Sequence, residues 1–138
     1  DTFEALTVES VDVGVEGCVV DEVVAAKAGS ELKGYVITTT TNAGYGGNIQ
    51  VSVGIAADGT VKGIEMLSIA ETAGLGMNAT TPEFKGQYAD KLADSFVVNK
   101  AGASADNEIS AISGATITSN AVTDAVNAAI EYFKNNLV

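Results

Sequence analysis

From residue 49 the chain alternates cleanly. Ile49, Val51, Val53 and Ile55 fall on one side, and Gln50, Ser52, Gly54 and Ala56 on the other. That period of two predicts a strand with one face against a core. Residues 18–27 (Cys-Val-Val-Asp-Glu-Val-Val-Ala-Ala-Lys) are rich in β-branched side chains and predict a strand before the turn Ala28-Gly29-Ser30. Lys33 to Thr40 sets Tyr35, Ile37 and Thr39 against Val36, Thr38 and Thr40, which predicts another. Asp58-Gly59 is a hairpin signal, because both residue types tolerate positive φ, and it leads into an antiparallel partner over Thr60–Ser68.

After residue 70 the pattern changes. Thr81-Pro82-Glu83 reads as a helix start, a hydroxyl cap followed by proline at the first helical position. Phe84, Tyr88 and Leu92 then recur at four-residue spacing, although Gly86 weakens that helix. Phe96-Val97-Val98 predicts a short strand ahead of a loop over Lys100–Glu108. A last helix is expected from about Ser119 to Asn135. Its apolar stripe is Val122, Ala125, Val126, Ala129, Ile130 and Phe133, with Asp124, Asn127, Glu131 and Lys134 toward water. Hairpin strands followed by segregated helices predict an α+β fold, an antiparallel sheet with helices packed on it. One domain over residues 1–138 accommodates all of it.

Composition narrows the function. Seven basic against eighteen acidic residues give a net charge of −11, which repels nucleic-acid phosphates and anionic lipid, so no nucleic-acid partner is expected. The chain has no histidine, which removes histidine acid–base and metal chemistry, and its carboxylates are too scattered for a metal site. A lone cysteine, Cys18, permits no internal disulfide and reads as a small buried apolar residue. No apolar run approaches the roughly 20 residues of a membrane span, and no signal pattern opens the chain at Asp1, so any anchor is expected ahead of residue 1.

Three segments carry candidate chemistry. Ser113-Gly114-Ala115-Thr116-Ile117-Thr118-Ser119 joins a flexible elbow, four hydroxyls and the start of the last helix. Unpaired N–H groups and partial positive charge at a helix start suit a phosphate, and a threonine hydroxyl there can bond one or be esterified by one. Ser and Thr before a helix are also ordinary caps. Glu71-Thr72-Ala73-Gly74-Leu75-Gly76 places two glycines around a leucine, so backbone can approach a flat ring that Leu75 covers; alone it also reads as a strand-to-helix turn. Gly44-Tyr45-Gly46-Gly47 precedes the clearest strand and reads first as a structural turn.

Ser-Gly-Ala-Thr followed by Ile-Thr-Ser-Asn-Ala-Val resembles the flavinylation motif of the FMN-binding domain family, which includes the G subunit of the Rnf ion-translocating complex and the C subunit of the sodium-pumping NADH:quinone oxidoreductase. Glu71–Gly76, ahead of Phe84 and Gln87-Tyr88, resembles the family's Glu-Thr-Pro-Gly-Leu-Gly segment, with Ala73 where proline is common. The glycine cluster resembles its Gly-Tyr-x-Gly element. Ser110 stands where many members have aspartate, a departure that bears on how efficiently the flavin is attached.

The resemblance implies FMN joined to Thr116 by a phosphoester, with Ser113, Gly114, Ala115, Thr118, Glu71, Thr72, Gly74, Leu75 and Gly76 around it in one pocket. It implies an electron-transfer subunit rather than a stand-alone enzyme, working with other subunits of a membrane redox complex on the extracytoplasmic face. An FAD-dependent flavin transferase would attach the cofactor, and a chain made away from that transferase would stay unmodified. The alternatives are a flavin-bearing domain of a secreted or lipid-anchored electron-transfer protein, or a non-redox ligand-binding surface module. A hydrolase using Thr116 as nucleophile lacks a plausible base.

Overall fold

A computed structural model describes residues 2–6, 18–42, 48–69, 79, 81–91, 95–99, 107–112 and 115–134. Five strands, β1 (Thr2–Leu6), β2 (Cys18–Ala28), β3 (Glu31–Thr41), β4 (Ile49–Ala56) and β5 (Val61–Ser68), form an antiparallel sheet in sequence order. Next come α1 (Pro82–Lys85), a 3₁₀ turn over Gly86–Tyr88, the short strands β6 (Val97–Asn99) and β7 (Glu108–Ser110), and the helix α2 (Thr116–Tyr132). The fold is α+β, as the order of patterns predicts.

Binary patterning builds the sheet. Ile49, Val51, Val53 and Ile55 are all buried, each stabilising the fold by roughly 1.5–3 kcal/mol, while Gln50, Ser52, Gly54 and Ala56 are only partly covered. Register between β3 and β4 is unbroken from Gly34↔Ala56 to Thr41↔Ile49, so Ile37 and Thr39 share the inner face with Val53 and Val51. Asp21 is the extra residue of a bulge in β2, between Val20 and Glu22. Its carboxylate accepts from the Thr40 hydroxyl and from the Gln50 amide at 3.2 Å, tying three strands together on the outer face.

α2 lies across the inner face. The Tyr35 and Phe133 rings meet edge to face with centroids 6.0 Å apart, and the Thr39 hydroxyl donates to the Ala125 carbonyl at 2.9 Å, so the helix runs antiparallel to β3. That hydrogen bond requires close approach, which the fully buried Ala121, Ala125, Ala128 and Ala129 allow.

Four expectations are corrected. The helix read from Thr81 onward is one α turn and one 3₁₀ turn. Thr81 does act as its cap, accepting from the Phe84 N–H at 3.4 Å, but Gly86 and Asp90 at φ 56 end the helical path, and Leu92 lies outside the described residues. The Asp58-Gly59 connection is longer than a two-residue hairpin. Gly59 alone has positive φ (97°), its N–H donates to the Ala56 carbonyl at 2.8 Å, and β5 starts at Val61. The strand expected at Phe96 starts at Val97, and the expected loop ends in a strand: Val97–Asn99 pairs in parallel with Glu108–Ser110. Finally, α2 starts at Thr116, three residues before the expected start at Ser119 and six before the apolar stripe begins at Val122.

Gly34 is required by packing. A Cβ there would meet the Ile55 carbonyl oxygen and lie 2.9 Å from the Ala56 Cα, so backbone would have to move. Gly34→Ala is expected to destabilise the chain by about 1–3 kcal/mol in denaturant unfolding. Gly63, whose added Cβ would meet nothing within 4 Å, should accept alanine with no loss, or a gain of about 0.5 kcal/mol.

Candidate functional site

The start of α2 is built by one side chain. The Ala115 N–H donates to the Ile112 carbonyl at 2.9 Å, closing a turn across residues 113–114. The Ser119 hydroxyl, wholly buried, accepts the Ile112 N–H at 2.8 Å and donates to the Ala115 carbonyl at 2.9 Å. Both ends of the turn are thus held by a hydroxyl one helical turn away. Ser119 is therefore inside the helix, bonding back to the fourth preceding carbonyl, rather than at its start. The N-cap is Ala115 at φ −140°, which has no side-chain oxygen to cap the first N–H groups.

Exposure sorts the hydroxyls of this turn. Thr118 and Ser119 are 1% and 0% exposed, and Ala115 is buried as well. Thr116 is partly exposed, beside Ile117 at 53%. Of the hydroxyl-bearing residues from Thr116 to Ser119, only Thr116 is not buried. It lies on the first turn of a seventeen-residue helix, where the dipole is positive. A phosphate ester on Thr116 fits this placement, since the residue is partly exposed and Ala115 places no side-chain oxygen at the helix start.

Ser113, Gly114, Glu71, Thr72, Gly74, Leu75, Gly76 and the cluster Gly44–Gly47 with Tyr45 lie outside the described residues, but their anchors do not. Thr41 pairs with Ile49, and Gln50 with Ser68, so Thr41, Ile49 and Ser68 lie at the same end of the sheet. From its contact with Thr39, α2 runs from Ala125 back to Thr116 over about 13 Å, while β3 has only about 7 Å left to Thr41. The helix start is therefore carried to that same end.

Other motif residues brace the site. Phe84 and Tyr88 are buried edge to face, 5.8 Å apart, and Tyr88 meets Phe96 at 5.1 Å. The Tyr88 hydroxyl shares a hydrogen bond of 2.7 Å with that of Thr123 on α2. The Gln87 amide bonds the backbone of Ser110, accepting its N–H at 2.7 Å and donating to its carbonyl at 3.3 Å. Asn127 treats Phe96 alike, at 2.7 and 2.9 Å. Residue types and spacing gave these polar residues no positioning role. The available signal was Ser119 and Thr123 at four-residue spacing inside a buried stripe, polar groups that must be partnered.

One carboxyl on this helix is electrostatically burdened. Burial pushes the Asp124 carboxyl above the usual range. Burial also raises the Cys18 thiol, against the hydrogen bond with Thr41, and the Asp124 charge adds to that rise. The Tyr88 phenol is likewise raised by burial, opposed by Thr123 and reinforced by Asp124. Because the native carboxyl titrates above the unfolded one, its contribution to stability is complete below the ordinary value of about 3.9 and is lost as pH rises through the native value. Asp124→Asn should therefore be more stable than wild type at neutral pH, with the difference shrinking as pH falls through the raised native value and no longer changing below about 3.9 in parallel thermal melts.

The chain is similar to known proteins. The chain is 40% identical over 117 residues to the G subunit of the Na(+)-translocating ferredoxin:NAD(+) oxidoreductase complex of Acetobacterium woodii, covering 83% of this chain and 56% of that protein. It is 43% identical over 107 residues to the G subunit of the proton-translocating ferredoxin:NAD(+) oxidoreductase complex of Clostridium ljungdahlii, covering 78% and 57%. The chain thus spans little more than half the length of these relatives. The crystal structure of the C subunit of Na(+)-translocating NADH-quinone reductase from Parabacteroides distasonis superposes with a TM-score of 0.66 at 27% identity, over 82% of this chain and 61% of that one. The sequence pattern of the FMN-binding domain family matches residues 44–131, from the glycine cluster through most of α2, and the chain belongs to that family.

Proposed function

We propose that this chain is the flavin-bearing domain of a G-type subunit of an ion-translocating oxidoreductase complex, carrying FMN on Thr116 through a phosphoester at the extracytoplasmic face. The observation that carries this reading is the partial exposure of Thr116 on the first turn of α2, whose N-cap Ala115 supplies no capping oxygen, with Thr118 and Ser119 buried. The kinship with two G subunits supplies the class of complex. FMN, when bound, supplies one- and two-electron redox chemistry; the protein contributes attachment and orientation. The helix dipole favours the negative phosphodiester, and Ser119 holds the turn that aims Thr116 outward. Attachment joins the Thr116 oxygen to the flavin-side phosphorus of FAD, breaks the pyrophosphate bond, and releases AMP and the hydroxyl proton. A covalent tether suits a compartment with no FMN pool. Glu71, Thr72, Gly74, Leu75 and Gly76 complete the pocket in this reading, supported by the place of Ser68 at the sheet end that α2 also reaches.

Incubation with FAD, Mg²⁺ and a flavin transferase should add the mass of one FMN less water. Thr116→Ala should abolish that addition while keeping the fold, and Thr118→Ala should retain it. A flavin found on a peptide lacking Thr116 would overturn the assignment.

Ser119→Ala removes an acceptor from the Ile112 N–H and a donor from the Ala115 carbonyl. It should cost about 1–3 kcal/mol in stability and slow flavin addition at temperatures where the variant is still folded.

A further inference from the structure

We infer that Gln87 is a positioning residue for the flavin-attachment turn, acting through the backbone of β7; the inference rests on the reading of Thr116 above. β7 has a strand neighbour on one side only, β6, among the described residues. The Gln87 carboxamide supplies hydrogen bonds of the kind a second neighbour would make, to the N–H of Ser110 at 2.7 Å and to its carbonyl at 3.3 Å. Ser110 is the last residue of β7. The Ala111 N–H still reaches the Asn99 carbonyl at 3.4 Å, and the next residue, Ile112, is the one that Ser119 and Ala115 hold. Backbone groups of Ser110, Ala111, Ile112 and Ala115 are therefore all held, and at Ser110 the side chain that does so is Gln87.

Gln87 has a rigid base from which to do this. Its neighbour Tyr88 is 0% exposed, wedged between the Phe84 and Phe96 rings and bonded to Thr123. The carboxamide is partly buried, so its two bonds are shielded from competing water. Because the bonds go to main chain, they fix where β7 ends regardless of which side chain stands at position 110. Asn127 provides an internal comparison, since it makes the same two-bond contact with Phe96 but at the entry to β6 and next to the core.

The test uses the 138-residue chain with Gln87→Leu, which keeps bulk and removes both bonds, and Gln87→Glu, which keeps the acceptor for the shorter one. Backbone hydrogen exchange is followed at Ser110, Ile112, Ala115 and the β4 residues Val51 and Val53. Flavin transfer from FAD is measured at varied chain concentration. Gln87→Leu should speed exchange at Ser110 and Ile112 by about tenfold and lower the kcat of transfer by about tenfold. KM for the chain should change by less than about twofold, and β4 exchange should be unchanged. Gln87→Glu should fall between Gln87→Leu and wild type, and decides the matter alone if Gln87→Leu does not fold. Undiminished transfer in a variant whose Ser110 exchanges freely, or β4 exchange that rises in step with Ser110, overturns the inference. Failure of the wild-type chain to take flavin on Thr116 defeats only the functional reading. Selective loosening of Ser110 and Ile112 in the same samples still decides whether Gln87 holds the turn.

Discussion

A helix buried on nearly every side must find partners for each polar group it takes inside, and α2 is such a helix. Thr118, Ser119 and Thr123 are buried in it along with most of its apolar residues. An unpartnered hydroxyl in that setting would cost about 1–3 kcal/mol, so the positions of those partners are constrained by energy. Thr39 reaches the Ala125 carbonyl, Tyr88 meets Thr123, Ser119 joins Ile112 to Ala115, and Asn127 grips Phe96. Each bond ties a different part of the chain to the same helix. No buried side-chain polar atom among the described residues lacks a partner.

This arrangement explains how a precise surface group can arise from a loop. Loops usually place side chains less sharply than helices do, because their backbone polar groups are bonded to water. Here described residues before Thr116 have backbone polar groups bonded internally: Ser110 to Gln87, Ile112 to Ser119, and Ala115 to Ile112 and Ser119. The helix start lacks a side-chain cap, an omission worth about 1 kcal/mol, at the point where the positive end of its dipole meets solvent. Stability forgone at the cap leaves the first-turn N–H groups without a capping oxygen from position 115. The net charge of −11 makes this local positive end stand out against an acidic surface.

How much was legible in the sequence follows from which interactions are local. β4 could be read because one face is entirely branched apolar residues and the other is not. The stripe of α2 could be read for the same reason, yet its first turn could not. The buried side chains there are Thr118 and Ser119, which a hydropathy pattern assigns to water. α1 ended early because a proline start and a good apolar period do not outweigh Gly86 and the left-handed Asp90.

Thr116 itself was reachable from the chain alone, since the motif and the following helix are contiguous in sequence. The parallel pairing of β6 with β7 was not, because three-residue strands carry too little pattern to name a partner. Nor were the roles of Gln87, Ser119, Thr123 and Asn127. Gln87, Ser119 and Asn127 bond main-chain atoms, which are identical at every position and leave no mark in the residue types they recognise. By itself, then, the sequence determined four of the five sheet strands, with β1 unread, the helix stripe and the identity of the candidate attachment residue, all set by local period and wording. Only the tertiary structure decided which hydroxyl-bearing residues of that turn are buried and what holds the backbone before them, because burial and backbone partnership exist only once distant segments have met.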